Sequence, residues 1–115
     1  MRRATEANPV SLNELRSLAQ SRFGDMIKGV VDLKRGLLLL DAELHADQEA
    51  ALLAEGSTQE DLWGINIYPD EEEEHFVEFD SLINIRPTLG NRTRSVEDDN
   101  LRQRIRRIVM KRVER

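Results

Sequence analysis

Two short phrases of alternating apolar and polar residues stand out along the chain. Residues 64–69 are Gly-Ile-Asn-Ile-Tyr-Pro, and residues 82–87 are Leu-Ile-Asn-Ile-Arg-Pro. Alternation over this length predicts a half-buried β-strand. Asparagine is uncommon in strands. In these two phrases the isoleucines would point to one face of the strand, and the other face would carry Asn66, Asn84 and Arg86. The pattern therefore predicts two strands, near 62–68 and 76–86, that turn polar side chains away from the core.

Helical patterning marks both ends of the chain. Ser11 and Glu14 form a capping box, and apolar residues at helical spacing follow through about residue 22. A second amphipathic helix is predicted from about Asp98 to Val113. Its acidic residues stand at the start and its basic residues along it, as the helix dipole favours.

The stretch between residues 26 and 44 allows two interpretations. Strands near 28–33 and 37–44, joined by a glycine-containing turn, form a β-hairpin. The apolar residues also fall at alternating spacings of four and three, as in a helix. Gly29 and Gly36 would each cost that helix about 1 kcal/mol. We favour the hairpin, in which the continuous leucines of the second strand indicate cover on both faces.

Short helical elements are predicted between this hairpin and the alternating strands. Asp47 is expected to cap a helix that runs to Ala54 and stops at Gly56. Ser57 and Glu60 form a second capping box, which predicts one more turn.

Together these elements predict an α+β fold, with an antiparallel sheet of about four strands and the N- and C-terminal helices packed on one face. Residues 1–9 are expected to form a flexible N-terminal arm, and residues 10–115 a single domain. The predicted core consists of Leu15, Val31, Leu38, Leu40, Leu44, Trp63, Ile65, Ile67, Val77, Ile83, Ile85, Leu101, Ile105 and Ile108.

The composition limits the kind of protein. The chain has 115 residues and no cysteine, which excludes a disulfide framework, a thiol nucleophile and thiolate metal sites. The N-terminus is charged, and no apolar run is long enough to span a bilayer, so neither a secretory signal nor a membrane contact is expected. We expect a cytoplasmic protein without a cofactor.

Charge is distributed unevenly along the chain. Residues 41–80 contain fourteen acidic and no basic residues, whereas residues 91–115 contain nine basic and four acidic residues. This asymmetry predicts an acidic surface that meets the basic C-terminal helix, within one chain or across a dimer. Nucleic-acid binding through that helix is a further hypothesis, disfavoured because no aromatic residue is interleaved with the bases.

Acidic residues surround one of the two histidines. Glu43, His45 and Asp47 alternate and would share one face of an extended chain, with Glu49 close by. Imidazole and carboxylate are ordinary ligands of Zn²⁺ or Mn²⁺, so His45, Asp47 and Glu49 would suit a small metal-dependent hydrolase. We favour the alternative, in which Asp47 caps a helix and His45 makes a structural hydrogen bond, and we assign no metal site.

A second polar group contains three asparagines and several arginines. Amides both donate and accept hydrogen bonds, and a guanidinium suits carboxylate or phosphate. These residues could form a recognition surface for a small anionic ligand or a protein partner, or a network that fixes the loop at 87–98 against the sheet. The candidate binding residues are His45, Asp47, Asn66, Asn84, Arg86, Asn91 and Arg92, with Arg94 in the same loop.

Several phrases of the chain are distinctive: Glu-Leu-His-Ala-Asp at 43–47, Gly-Ser-Thr-Gln at 56–59, Leu-Trp-Gly-Ile-Asn-Ile-Tyr-Pro at 62–69, Ser-Leu-Ile-Asn-Ile-Arg-Pro at 81–87 and Gly-Asn-Arg at 90–92. They resemble a small family of uncharacterised prokaryotic proteins that has only a domain-of-unknown-function label. The resemblance runs from about Ser11 to Val113. It implies a small stand-alone soluble protein, and it implies no activity and no catalytic residue.

The sequence contains no glycine-rich phosphate loop, no order typical of a serine hydrolase and no zinc-protease motif. The favoured function is therefore a non-enzymatic binding or interaction module, expected to be a homodimer, with the polar asparagine and arginine surface as its recognition site.

Overall fold

The computed structural model describes residues 1–115 and contains seven strands and four helices. The strands are β1 (Arg2–Ala4), β2 (Val10–Ser11), β3 (Ile27–Asp32), β4 (Leu37–Leu40), β5 (Leu62–Ile67), β6 (Val77–Glu78) and β7 (Val113–Glu114). The helices are α1 (Leu12–Arg22), α2 (His45–Ala54), α3 (Glu73–Phe76) and α4 (Asp99–Arg112), with 3-10 turns at Gln59–Asp61, Leu82–Asn84 and Pro87–Leu89. Five strands form an antiparallel sheet in the order β1-β4-β3-β5-β6, and β2 pairs with β7 in parallel.

This architecture confirms the predicted α+β class and the predicted hairpin. Strands β3 and β4 pair with Val31 opposite Leu38. The Asp32 carboxylate accepts hydrogen bonds from the amides of Lys34 and Arg35, both at 3.1 Å, and fixes the turn between the strands. Gly36 follows with a φ of +63°, which a glycine adopts without strain.

Both faces of the sheet carry a hydrophobic core. On one face, Val31, Leu38 and Ile65 pack with residues of α1 and α4, as predicted. On the other face, Val30 and Leu39 pack with Leu52 of α2. Because α2 covers this second face, the sheet does not present the open polar surface that the alternating strands predict.

The second alternating phrase is not a strand, and the predicted strand at 76–86 is wrong. Within residues 76–86, only β6 pairs with β5, and residues 82–84 form a 3-10 turn. The side chain of Asn84 reaches the backbone of Gly64, accepting from its amide at 2.8 Å and donating to its carbonyl at 2.9 Å. This amide replaces a backbone partner at the β5 edge, so an alternating pattern arises without strand pairing.

Other boundaries also differ from the predictions. Strand β4 ends at Leu40 because Asp41 turns the chain with a φ of +69°. Leu44 and Ile85 are exposed rather than in the core. Ala4 lies in β1, which pairs with β4, so the segment expected to be an arm adds a fifth strand to the sheet.

Most of the remaining predicted core residues are buried. Ile83, Leu101 and Ile108 are only partly buried and pack at the margins of the two cores. Further apolar residues that were not predicted are also buried, including Leu52, Leu62, Phe76, Phe79, Val96 and Val109.

Acidic residues between 41 and 80 form ion pairs with arginines from the rest of the chain, and they take part in six of the seven pairs. Glu55 binds both Arg3 and Arg35. Helix α4 enters none of these pairs, and its bases face the acidic residues of α3 across an open cleft. None of the helices has the length and apolar character needed to cross a bilayer.

Replacing Gly64 with alanine should destabilise the fold. The added methyl carbon would lie 2.6 Å from the Cβ and Oγ of Ser81 and 3.1 Å from Cγ1 of Ile83. Because the segment at 81–84 is fixed to β5, we expect a loss of about 1–3 kcal/mol in the free energy of unfolding, measured in urea.

Gly29→Ala is the matched control, since its added methyl meets the flexible ends of Leu38 and Leu40 at 3.2 and 3.1 Å. Equal losses of stability in the two variants would contradict the close approach of residues 81–83 to Gly64.

Candidate functional site

The asparagines of the candidate site are largely occupied by internal hydrogen bonds. Asn91 donates to the carbonyls of Asn84 and Ser95, both at 2.7 Å, and accepts from the amide of Glu97. Asn66 donates to the Glu78 carboxylate at 2.8 Å, whereas its carbonyl oxygen is buried without a partner. These amides hold the segment at 80–97 against the sheet.

Arg86 bridges α2 and the edge of β5. Its Nη2 donates to the Glu49 carboxylate at 2.9 Å, and the guanidinium carbon lies 4.8 Å from the centre of the Trp63 ring. Burial lowers the pKa of Arg86, and the Glu49 carboxylate opposes this shift. Nε and Nη1 of Arg86 and Nε1 of Trp63 are sealed from solvent and have no acceptor in the protein. A ligand in the open cleft between Thr58 and Pro87, which Arg86 also lines, therefore does not reach these donors.

The proposed metal-binding set does not converge on one position. His45, Asp47 and Glu49 lie on α2, where residues two apart project to different sides of the helix. His45 binds a backbone carbonyl, Asp47 is exposed and Glu49 pairs with Arg86. The chain contains no cluster of three metal-ligating side chains, so this set does not form the centre of the hypothetical hydrolase. Arg92 is exposed.

The start of α2 differs from the prediction that Asp47 caps it. The helix begins at His45, and its N-cap residue, Leu44, offers no side-chain oxygen. The Nε2 of His45 lies 2.7 Å from the carbonyl of Ile65, and Gln48 donates to the carbonyls of Lys28 and Leu39. These contacts with the sheet start the helix three residues earlier than the local capping rule suggests.

The first turn of α2 consequently has free donors. The amide of Asp47 bonds to the Leu44 carbonyl at 3.2 Å, whereas the amides of His45 and Ala46 have no protein acceptor. The positive end of the helix dipole lies at the same place. Together these features favour a negative group beside this turn.

His45 presents an unoccupied lone pair at the same position. A carbonyl oxygen only accepts hydrogen bonds, so Nε2 carries the proton that bonds to Ile65, and Nδ1 of the neutral ring is an acceptor. The residue is only 7% exposed, but its Nδ1 has no partner and is not among the sealed atoms. This nitrogen thus keeps some contact with solvent, unlike the free donors of Arg86.

Both features line one cleft of about 120 Å³, which we call the His45 cleft. Lys28 of β3 lies on the same sheet face as its cross-strand partner Asn66 and makes no ion pair. Arg94 pairs with Asp80 at 2.6 Å, whereas Lys28 makes no ion pair and its ammonium lies 5.3 Å from the centre of the Phe23 ring. The lining residues are Lys28, Leu44, His45, Ala46, Ser81, Leu82, Ile83 and Arg94.

The cleft combines one predicted site residue with residues that the sequence analysis did not group with it. His45 and the region of Arg94 were expected to be polar candidates, but Lys28, Ser81 and the helix amides were not. One local signal could have indicated Lys28. It is a lysine within the apolar strand β3, and strand alternation places it on the same sheet face as Asn66.

The environment of His45 predicts a pH-dependent stability. Burial lowers its pKa from the ordinary 6.5, and Lys28 and Arg94 lower it further, against the opposing effects of the Ile65 carbonyl and Asp80. The folded state therefore binds fewer protons than the unfolded state. Stability should be complete above about pH 6.5 and fall as the pH drops towards the folded value.

Urea unfolding at about pH 7.5 and about pH 5.5 measures this loss. His45→Gln should reduce it, whereas the same change at the exposed His75 should not. A loss that persists unchanged in His45→Gln would contradict the burial of a neutral imidazole.

No curated protein and no solved structure matches the chain. A family model described as "Protein of unknown function (DUF5674)" matches residues 6–112, which include β2 to β6 and all four helices. This match confirms the resemblance to an uncharacterised family that the distinctive phrases indicate. The chain therefore belongs to this family of proteins of unknown function.

Proposed function

We propose that this protein is a non-enzymatic binding module that holds a ligand with a small oxyanion, a carboxylate or a phosphate, in the His45 cleft. The observation that carries the proposal is the uncapped first turn of α2, which opens into the same cleft as the unpartnered Nδ1 of His45 and the unpaired Lys28.

The donors around the cleft support an anion rather than a cation. The amides of His45 and Ala46 and the ammonium of Lys28 all offer hydrogens, and the helix dipole adds positive potential. The Nδ1 of His45 accepts a hydrogen from a protonated ligand oxygen or takes up a proton when the anion binds. Ser81 also lines the cleft, and its hydroxyl accepts a hydrogen bond from the amide of Ile83 at 3.3 Å.

Binding is favoured over catalysis because the cleft lacks a linked pair of reactive groups. No hydrogen bond connects His45 with a nucleophile or a carboxylate, since its only protein partner is the Ile65 carbonyl. A general base in a nucleophilic mechanism needs a hydrogen bond to the group that it activates. A homodimer, a protein partner and a nucleic-acid contact through α4 stay predictions.

Inorganic phosphate and acetate, added separately to ¹⁵N-labelled protein, test the proposal. We expect saturable shifts of the amide resonances of His45 and Ala46, which report on the first turn of α2. Lys28→Met should weaken binding by about ten- to a hundredfold, because a charge-assisted hydrogen bond contributes about 1.5–3 kcal/mol.

Lys34→Met is the matched control, because Lys34 lies in the β3–β4 turn and does not line the cleft. Equal weakening in both lysine variants would indicate general charge attraction, and no shift of the α2 amides with either anion would contradict the proposed function.

A further inference from the structure

Two unusually exposed leucines flank the His45 cleft. Leu44 is 54% exposed and Leu82 is 66% exposed, and both line the cleft together with Ile83. They belong to different segments, the N-cap of α2 and the 3-10 turn that follows Ser81. The polar interior of the cleft therefore opens between two apolar side chains.

The size of the cleft restricts what its interior can hold. Pockets that enclose a whole small molecule usually measure about 300–1,000 Å³, whereas this cleft measures about 120 Å³. That volume suits a carboxylate or phosphate head group. Any further part of the ligand must leave the cleft across its rim, where Leu44 and Leu82 lie.

We propose that the ligand is an amphiphilic anion whose oxyanion head binds the first turn of α2 and whose short aliphatic chain covers Leu44 and Leu82. This inference rests on the proposed function, because it specifies the class of ligand for the same cleft. It also gives the exposed leucines a role, since covering apolar surface at the rim adds a favourable contribution to binding.

The inference is tested with carboxylates of increasing chain length: acetate, butyrate and hexanoate. The affinity of each is measured from the shifts of the amide resonances of His45 and Ala46. Affinity should rise by about two- to fourfold for each methylene that contacts the rim. A parallel series of inorganic phosphate, ethyl phosphate and butyl phosphate identifies the preferred head group, and the same increase with chain length is expected there.

Leu82→Ser should remove the dependence on chain length, so that hexanoate binds no more tightly than acetate, and the high exposure of Leu82 makes the variant compatible with folding. Leu89→Ser is the matched control, because Leu89 is also exposed but does not line the His45 cleft. Lys28→Met should weaken every member of the series by the same factor.

The outcomes separate the two proposals. If acetate and phosphate bind but affinity does not change with chain length, the amphiphilic ligand is ruled out and the oxyanion site stands. If no member of either series binds, both proposals fail. If light scattering shows a dimer that Leu82→Ser dissociates, and affinity is independent of chain length, the leucines form a subunit contact and the inference is wrong.

Discussion

The pairing of the Asn84 side-chain amide with the backbone of Gly64 is the constraint on which the second half of the structure depends. Strand β6 pairs with β5 only at Asn66 and Ile67, so the rest of that edge needs another partner. Asn84 supplies an acceptor and a donor at the correct separation. Losing either of these hydrogen bonds would leave a buried backbone group of Gly64 unpaired and would lower the free energy of unfolding by about 1–3 kcal/mol.

The same pairing builds the His45 cleft. It holds residues 81–84 so close to β5 that position 64 accommodates no side chain. Ser81 and Leu82 are thereby placed opposite the first turn of α2 and form one wall of the cleft. Asn91 then fixes the carbonyl of Asn84 from the outer side. Local structural asparagines and the proposed binding cleft are thus parts of one arrangement.

The sequence predicted local structure correctly where that structure depends on residues close together along the chain. Ser11 accepts from the amide of Glu14 at 3.0 Å, as its capping box predicts, and the β3–β4 turn follows from residues within it. The alternating pattern at 82–87 wrongly predicted a strand, because the conformation of this segment depends on a hydrogen bond to Gly64, twenty positions before Asn84. Likewise, the start of α2 follows from contacts with the sheet and not from Asp47. A cleft assembled from four separate segments has no local sequence pattern.

The parallel pair of β2 and β7 has a consequence for how the molecule folds during synthesis. It joins Val10 to Val113, which are 103 positions apart and both buried. Contacts of such long range close only after a large loss of chain entropy. Helix α1, which begins at the residue after β2, can form early, but the pair of β2 with β7 cannot close until Val113 has been synthesised. The strand that precedes the first helix is therefore paired only by residues about a hundred positions further along the chain.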